Sequence, residues 1–167
     1  MHQRKRLRLK EYDYSQPGYY FVTICTKDRE GLFGNIVGVD DPVHPPLMKL
    51  NQIGEIVCEC WKKINELYEN IKTDFFCLMP NHIHGIIVIS DADGRSVRGG
   101  GQGRPPLHKI IQGFKSVTTR MCFIYGYKTI WQQNYYEHII RGEQELNSIR
   151  QYITDNSTSW QDDEYYM

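Results

Sequence analysis

Thr73-Asp74-Phe75-Phe76-Cys77-Leu78-Met79-Pro80-Asn81-His82-Ile83-His84-Gly85-Ile86-Ile87-Val88-Ile89-Ser90 holds two runs rich in aromatic and β-branched residues on either side of a Pro-Asn pair. Such runs favour strands, and Pro-Asn favours a turn or kink. The stretch therefore reads as two strands, Thr73–Met79 and His82–Ser90. Upstream, Tyr19-Tyr20-Phe21-Val22-Thr23-Ile24-Cys25-Thr26 follows Pro17-Gly18 and reads as an earlier strand. Between them, Asn51 to Tyr68 carries Ile53, Ile56, Val57, Cys60, Trp61, Ile64, Leu67 and Tyr68 at helical spacing, with Asn51 or a neighbour as cap. Downstream, Leu107 to Tyr125 repeats that spacing. Tyr127–Gln132 is expected as a short fourth strand, Tyr135–Arg141 as a helical turn and Glu143–Asn156 as a last helix. Asp28–Pro46 reads as irregular, with a short strand near Gly34–Val37. Gly-rich Asp91–Pro106 reads as a loop.

The expected order is β-α-β-β-α-β with a C-terminal helix. This predicts an α+β, ferredoxin-like antiparallel sheet with helices on one face. The 167 residues suit one domain, spanning 1–167, with a basic arm (1–12) and an acidic tail (157–167). At 40% hydrophobic and 24% charged residues, wholesale disorder is excluded. No apolar run approaches the ~20 residues of a membrane span, and no apolar region follows the basic first ten residues, so no secretory signal is expected. Five cysteines (Cys25, Cys58, Cys60, Cys77, Cys122) suggest free thiols in a reducing cytoplasm. Cys58-Glu59-Cys60 lacks the spacing of a zinc knuckle.

Lys+Arg and Asp+Glu balance at 20 each, but the distribution is uneven. Gly94 to Tyr136 contains no acid, yet carries Arg95, Arg98, Arg104, Lys109, Lys115, Arg120 and Lys128 among several aromatic residues. Basic charge attracts phosphates, and exposed rings stack on unpaired bases. The alternative is a solvated basic face over core aromatics. Arg4, Lys5, Arg6, Arg8 and Lys10 read either as an arm for the DNA backbone or as a solubilising tail.

His82-Ile83-His84 on a strand projects both imidazoles from one face and Ile83 from the other. Two imidazoles so placed suit one divalent cation, although a bare His-x-His is more often an ordinary pair of histidines. The context Phe76-Cys77-Leu78-Met79-Pro80-Asn81-His82-Ile83-His84-Gly85 closely resembles the signature of the single-tyrosine HUH (IS200-like) transposases, specifically the REP-associated tyrosine transposase group. Tyr14–Thr23 looks like that group's first strand, Leu32-Phe33-Gly34 like the loop after it, and Trp131–Arg141 like its C-terminal signature. The resemblance runs from about Tyr12 to Trp160.

The resemblance implies an enzyme that cleaves and rejoins single-stranded DNA, with Mg²⁺ or Mn²⁺ bound by His82 and His84. Tyr152 matches the nucleophile and Asn156 the third metal ligand. Residues i and i+4 share a helix face, so Tyr152 and Asn156 project together. A phenol of pKa ~10 needs help to attack at neutral pH, and a cation would supply it. The implied product is a 5′-phosphotyrosine with a free 3′-hydroxyl, in the transposition of hairpin-bounded elements. The chain has Asn156-Ser157 where the related pattern has Asn-Pro. The tail Gln161-Asp162-Asp163-Glu164 and Glu145 supply spare acids for the metal site.

Among the twelve tyrosines, Tyr135 and Tyr136 are the competitors of Tyr152. Tyr135 and Tyr136 read as a structural brace or a DNA contact, His138 as a partner behind the metal ligands or a buried polar group, and Tyr136 is a further candidate for a place behind the ligands. DNA contacts are expected at Arg4, Arg6, Arg8, Arg104, Lys109, Lys115 and Arg120. The expected partner is single-stranded or hairpin DNA, bound by a monomer or homodimer without a membrane. Two rival readings are a domesticated protein that holds hairpin DNA without cutting it, and a different or purely structural metal protein.

Overall fold

The computed structural model describes residues 12–91 and 105–166. Strand β1 (Gly18–Cys25) is followed by a hairpin of β2 (Gly34–Val37) and β3 (Leu47–Leu50). Helix α1 (Gln52–Lys62) and the short α2 (Ile64–Leu67) lead to β4 (Ile71–Met79) and β5 (His82–Ile89). Helix α3 (Leu107–Cys122), β6 (Tyr136–Ile140) and α4 (Glu143–Asp155) complete the order. β4, β5, β1 and β6 form one sheet in that spatial order, every neighbouring pair antiparallel. This is the expected α+β arrangement.

Alternation along the strands divides the core in two. Tyr20, Val22, Ile24, Ile83 and Ile87 pack with Val57, Trp61, Ile110 and Phe114 of α1 and α3. Phe21, Ile86 and Ile140 face the other way and pack with Leu146 and Ile153 of α4. The histidines share this second face with α4. α1 starts where Asn51 predicts, its Oδ1 accepting from the Gly54 amide at 3.0 Å. Gly85 is required by packing: a Cβ there would lie 2.3 Å from Cζ2 of the fully buried Trp61. The missing side chain lets the indole approach β5 closely.

Two expectations are corrected. The fourth strand of the sheet is Tyr136–Ile140, not Tyr127–Gln132, and the segment read as a helical turn is that strand. Tyr136, His138 and Ile140 alternate with Glu137 and Ile139 and pair with β1 from Thr23 to Tyr19. The 127–132 segment makes an isolated bridge from Trp131 to Thr26. Side chains hold it instead: Trp131 packs on Phe33 and Phe114, and its Nε1 donates to Thr118 Oγ1 at 2.7 Å. The sequence pattern of Leu47–Leu50 does not point to a strand; it is short and half exposed, and its pairing with β2 defines it.

Candidate active site

His82 and His84 emerge from β5 beneath α4, both almost completely buried, with Nε2 atoms 3.0 Å apart. β1 lies alongside, and its register sets Thr23 opposite His84. Thr23 Oγ1 is 2.7 Å from His84 Nδ1. At the β4–β5 turn, Asn81 Oδ1 is 2.8 Å from His82 Nδ1. Each ring is thus held from behind by a polar side chain, leaving both Nε2 atoms facing one point.

α4 delivers the next two groups. Tyr152 Oη lies 3.2 Å from His84 Nε2 of the same chain, and the side chain is 44% exposed. Asn156, one turn on, is buried. Its Nδ2 donates to Asp163 Oδ2 at 3.1 Å. Its Oδ1 is buried and meets no hydrogen-bond partner among the described residues.

After α4 the chain turns back over the histidines. The tilted rings of Tyr165 and Trp160 lie 4.7 Å and 5.9 Å from the His82 ring. The Tyr165 amide donates to Asp163 Oδ1 at 2.7 Å. Asp163 Oδ2 lies 3.9 Å from His82 Nε2 and 4.0 Å from His84 Nε2. Among the described residues His82, His84 and Asp163 form a cluster able to hold a metal, their ligand atoms all within 4.8 Å of one another.

The electrostatics suit that role. Burial, then the neighbouring His84, lowers the His82 pKa to about 3, so its ring stays neutral and keeps a lone pair. Burial alone would raise the Asp163 carboxyl, but the His84 imidazole and the Tyr165 amide outweigh it and hold it at about 2. Burial and the Asp163 charge push the Tyr152 phenol up to about 12. An added positive charge would reverse that last effect. Two imidazoles, a carboxylate and a carboxamide oxygen lacking a partner are a donor set that fits a divalent ion of the Mn²⁺ type.

The other expected site residues fall elsewhere. Of the spare acids, Asp163 joins the histidines while Glu145 does not. Glu145 Oε1 is 2.6 Å from His138 Nε2, and its Oε2 accepts from the Arg141 amide. This ties β6 to the start of α4. Tyr136 is exposed, its ring 6.3 Å from Phe21. Lys109 and Arg120 are exposed on α3. Lys115 Nζ donates to the carbonyls of Gln132, Gln133 and Asn134 at 2.9, 3.4 and 3.2 Å. It borders, with Arg120, Phe123 and Trp131, an open groove of about 560 Å³. Arg4, Arg6, Arg8 and Arg104 lie outside the described residues. The cysteines are free thiols, and no helix among the described residues is long and apolar enough to cross a membrane.

Sequence reasoning missed Thr23 and Asn81 as supports of the rings. Asn81 stood beside His82 in the motif, whereas Thr23 becomes visible only through the β1–β5 register.

No protein-family model matches the chain. A protein of Haemophilus influenzae described as uncharacterized is 36% identical, the match covering 100% of this chain and 95% of that protein. Among solved structures, a REP-associated tyrosine transposase bound to a REP hairpin superposes with a TM-score of 0.56 at 17% identity, covering 89% of this chain and 71% of that one. The likeness read from the sequence thus holds at the level of the fold.

Proposed function

We propose that this chain, which belongs to one family with the Haemophilus influenzae protein and has the fold of the REP-associated tyrosine transposases, is a metal-dependent single-stranded DNA endonuclease and strand transferase. The observation that carries the reading is Tyr152 Oη at 3.2 Å from His84 Nε2, beside His82 and Asp163, all within one chain. A lone buried histidine pair has many uses. A half-exposed phenol aimed at such a pair, with a carboxylate behind it, is a nucleophile next to a cation site.

His82, His84 and Asp163 would hold Mg²⁺ or Mn²⁺, with Asn156 Oδ1 as a further donor. Such an ion, when bound, offsets the negative charge that builds up on a phosphate under attack. Tyr152 Oη forms a bond to phosphorus as the bond to the 3′-oxygen breaks. The phenolic proton leaves to solvent, to which Tyr152 is open, and the departing 3′-oxygen takes up a proton. The product is a 5′-phosphotyrosine and a free 3′-hydroxyl. Attack by a 3′-hydroxyl runs the exchange backwards, so strands are rejoined without an external energy source. Thr23 and Asn81 orient the rings, and Phe21, 5.5 Å from His84 and 6.2 Å from Tyr152, excludes water beneath them.

The hairpin carried by the structural relative supports hairpin-forming DNA as the substrate class. Incubation with single-stranded hairpin DNA and Mn²⁺, followed by a denaturing gel, is expected to show a covalent protein–DNA adduct that Tyr152→Phe abolishes. An adduct that persists in Tyr152→Phe would move the nucleophile elsewhere. Hairpin binding without any adduct, unaffected by His82→Ala and His84→Ala, would favour the domesticated, non-cleaving reading.

A further inference from the structure

Two histidines can share a cation only if both present a bare Nε2, and imidazole has two tautomers. The hydrogen bonds around Asn81 settle which tautomer His82 adopts. Asn81 is buried, and its Nδ2 donates to two backbone carbonyls: Tyr165 O at 2.8 Å and Arg29 O at 3.2 Å. Carbonyls only accept, so the amide cannot be turned around. Its Oδ1 therefore faces His82 Nδ1 at 2.8 Å, and an amide oxygen also only accepts. His82 must carry its proton on Nδ1, which leaves the Nε2 lone pair free.

The partner of His84 differs in kind. Thr23 offers a hydroxyl, which both donates and accepts, 2.7 Å from His84 Nδ1. With His82 Nε2 bare, the 3.0 Å contact between the two Nε2 atoms is a hydrogen bond only when His84 carries its proton on Nε2. Thr23 then donates to Nδ1. Holding a cation needs the opposite form, with the His84 proton moved to Nδ1 and donated to Thr23 Oγ1. A half-turn of the hydroxyl accommodates both.

We propose that Asn81 and Thr23 are positioning residues with unequal tasks: Asn81 locks His82 in the Nδ1–H tautomer, while Thr23 lets His84 exchange tautomers as the cation arrives. The proposal rests on the metal-site reading above, but it is tested without DNA. Nitrogen-15 spectra of the histidine rings of the metal-free protein are expected to show His82 protonated at Nδ1 and His84 at Nε2. Zn²⁺, as a diamagnetic probe, should leave the His82 proton in place and move that of His84 to Nδ1. Asn81→Ala should mix the tautomers and weaken Mn²⁺ by roughly 10–100-fold, the range typical of partners behind a metal ligand. Thr23→Val should weaken Mn²⁺ without disturbing the His82 tautomer.

His82 protonated at Nε2 in the wild-type protein would overturn the proposal, and that spectrum needs no variant to fold. Unchanged Mn²⁺ affinity in a folded Asn81→Ala would overturn it as well. If the tautomers behave as stated but no DNA adduct forms, the positioning stands and the cleavage reading fails.

Discussion

Asp163 is the residue on which the candidate site turns, because it brings a carboxylate to a centre otherwise made of two imidazoles, a phenol and a carboxamide. Its Oδ2 faces both imidazoles, and Asn156 and the Tyr165 amide hold it there. Asp163→Asn keeps the shape and removes the charge. We expect Mn²⁺ affinity to fall by on the order of 10–100-fold or more, since partners one step further out already cost that much. Titration calorimetry would measure it, and an unchanged affinity would remove Asp163 from the site. His82 carries a second expectation. Its pKa falls from 6.5 in an open chain to about 3 in the fold through burial and the nearby His84. Below pH 6.5 the unfolded chain gains a proton that the native ring refuses, so stability of the metal-free protein is present above that value. It is lost as pH falls from about 6.5 through about 3. Asp163, held at about 2, adds a loss of the same sign at the acid end of that range. Thermal melts against pH would show a steep decline between 6.5 and 4 that His82→Gln flattens.

Elements differ in how openly the chain declares them. The alternation of β5 was plain, because His82, His84 and Ile86 go to one face while Ile83, Gly85 and Ile87 go to the other. α4 was expected as the last helix, and the i, i+4 spacing on it gave the shared face of Tyr152 and Asn156. β6 was not legible, because the 127–132 segment is as rich in β-branched and aromatic residues as a strand. What separates the two is tertiary: one meets β1, the other is pinned by Trp131 and by Lys115. Asp163 was visible as one of several tail acids, but its selection depends on a chain reversal after α4 that short-range periodicity does not encode. Two measurements probe the elements. Gly85→Ala forces a methyl into Trp61 and should destabilise by about 1–3 kcal/mol. Lys115→Met leaves three carbonyls without their cation and should cost about 1–3 kcal/mol. Denaturant unfolding would check both, and a neutral Lys115→Met would deny the brace.

Across the whole molecule the formal charge cancels, yet the acid-free stretch places exposed Lys109 and Arg120 on α3, away from the acidic tail at the site. A DNA path along α3 predicts that Arg120→Ala weakens hairpin binding and reduces the slope of log affinity against log salt by about 1. Fluorescence anisotropy at several salt concentrations would measure the slope. An unchanged slope would place the DNA on another surface. Lys115→Met should leave the slope nearly intact, its ammonium being committed to the protein's own backbone.

The reversal of the chain after α4 also fixes an order in time. The two histidines leave the ribosome some seventy residues before Tyr152, and Asp163 follows later still. While the sheet is being made, the growing protein holds a pair of imidazoles with neither the phenol nor the carboxylate to complete them. On the proposed reading, a chain whose synthesis stops short of α4 lacks both the phenol and the carboxylate and is expected to leave DNA uncut.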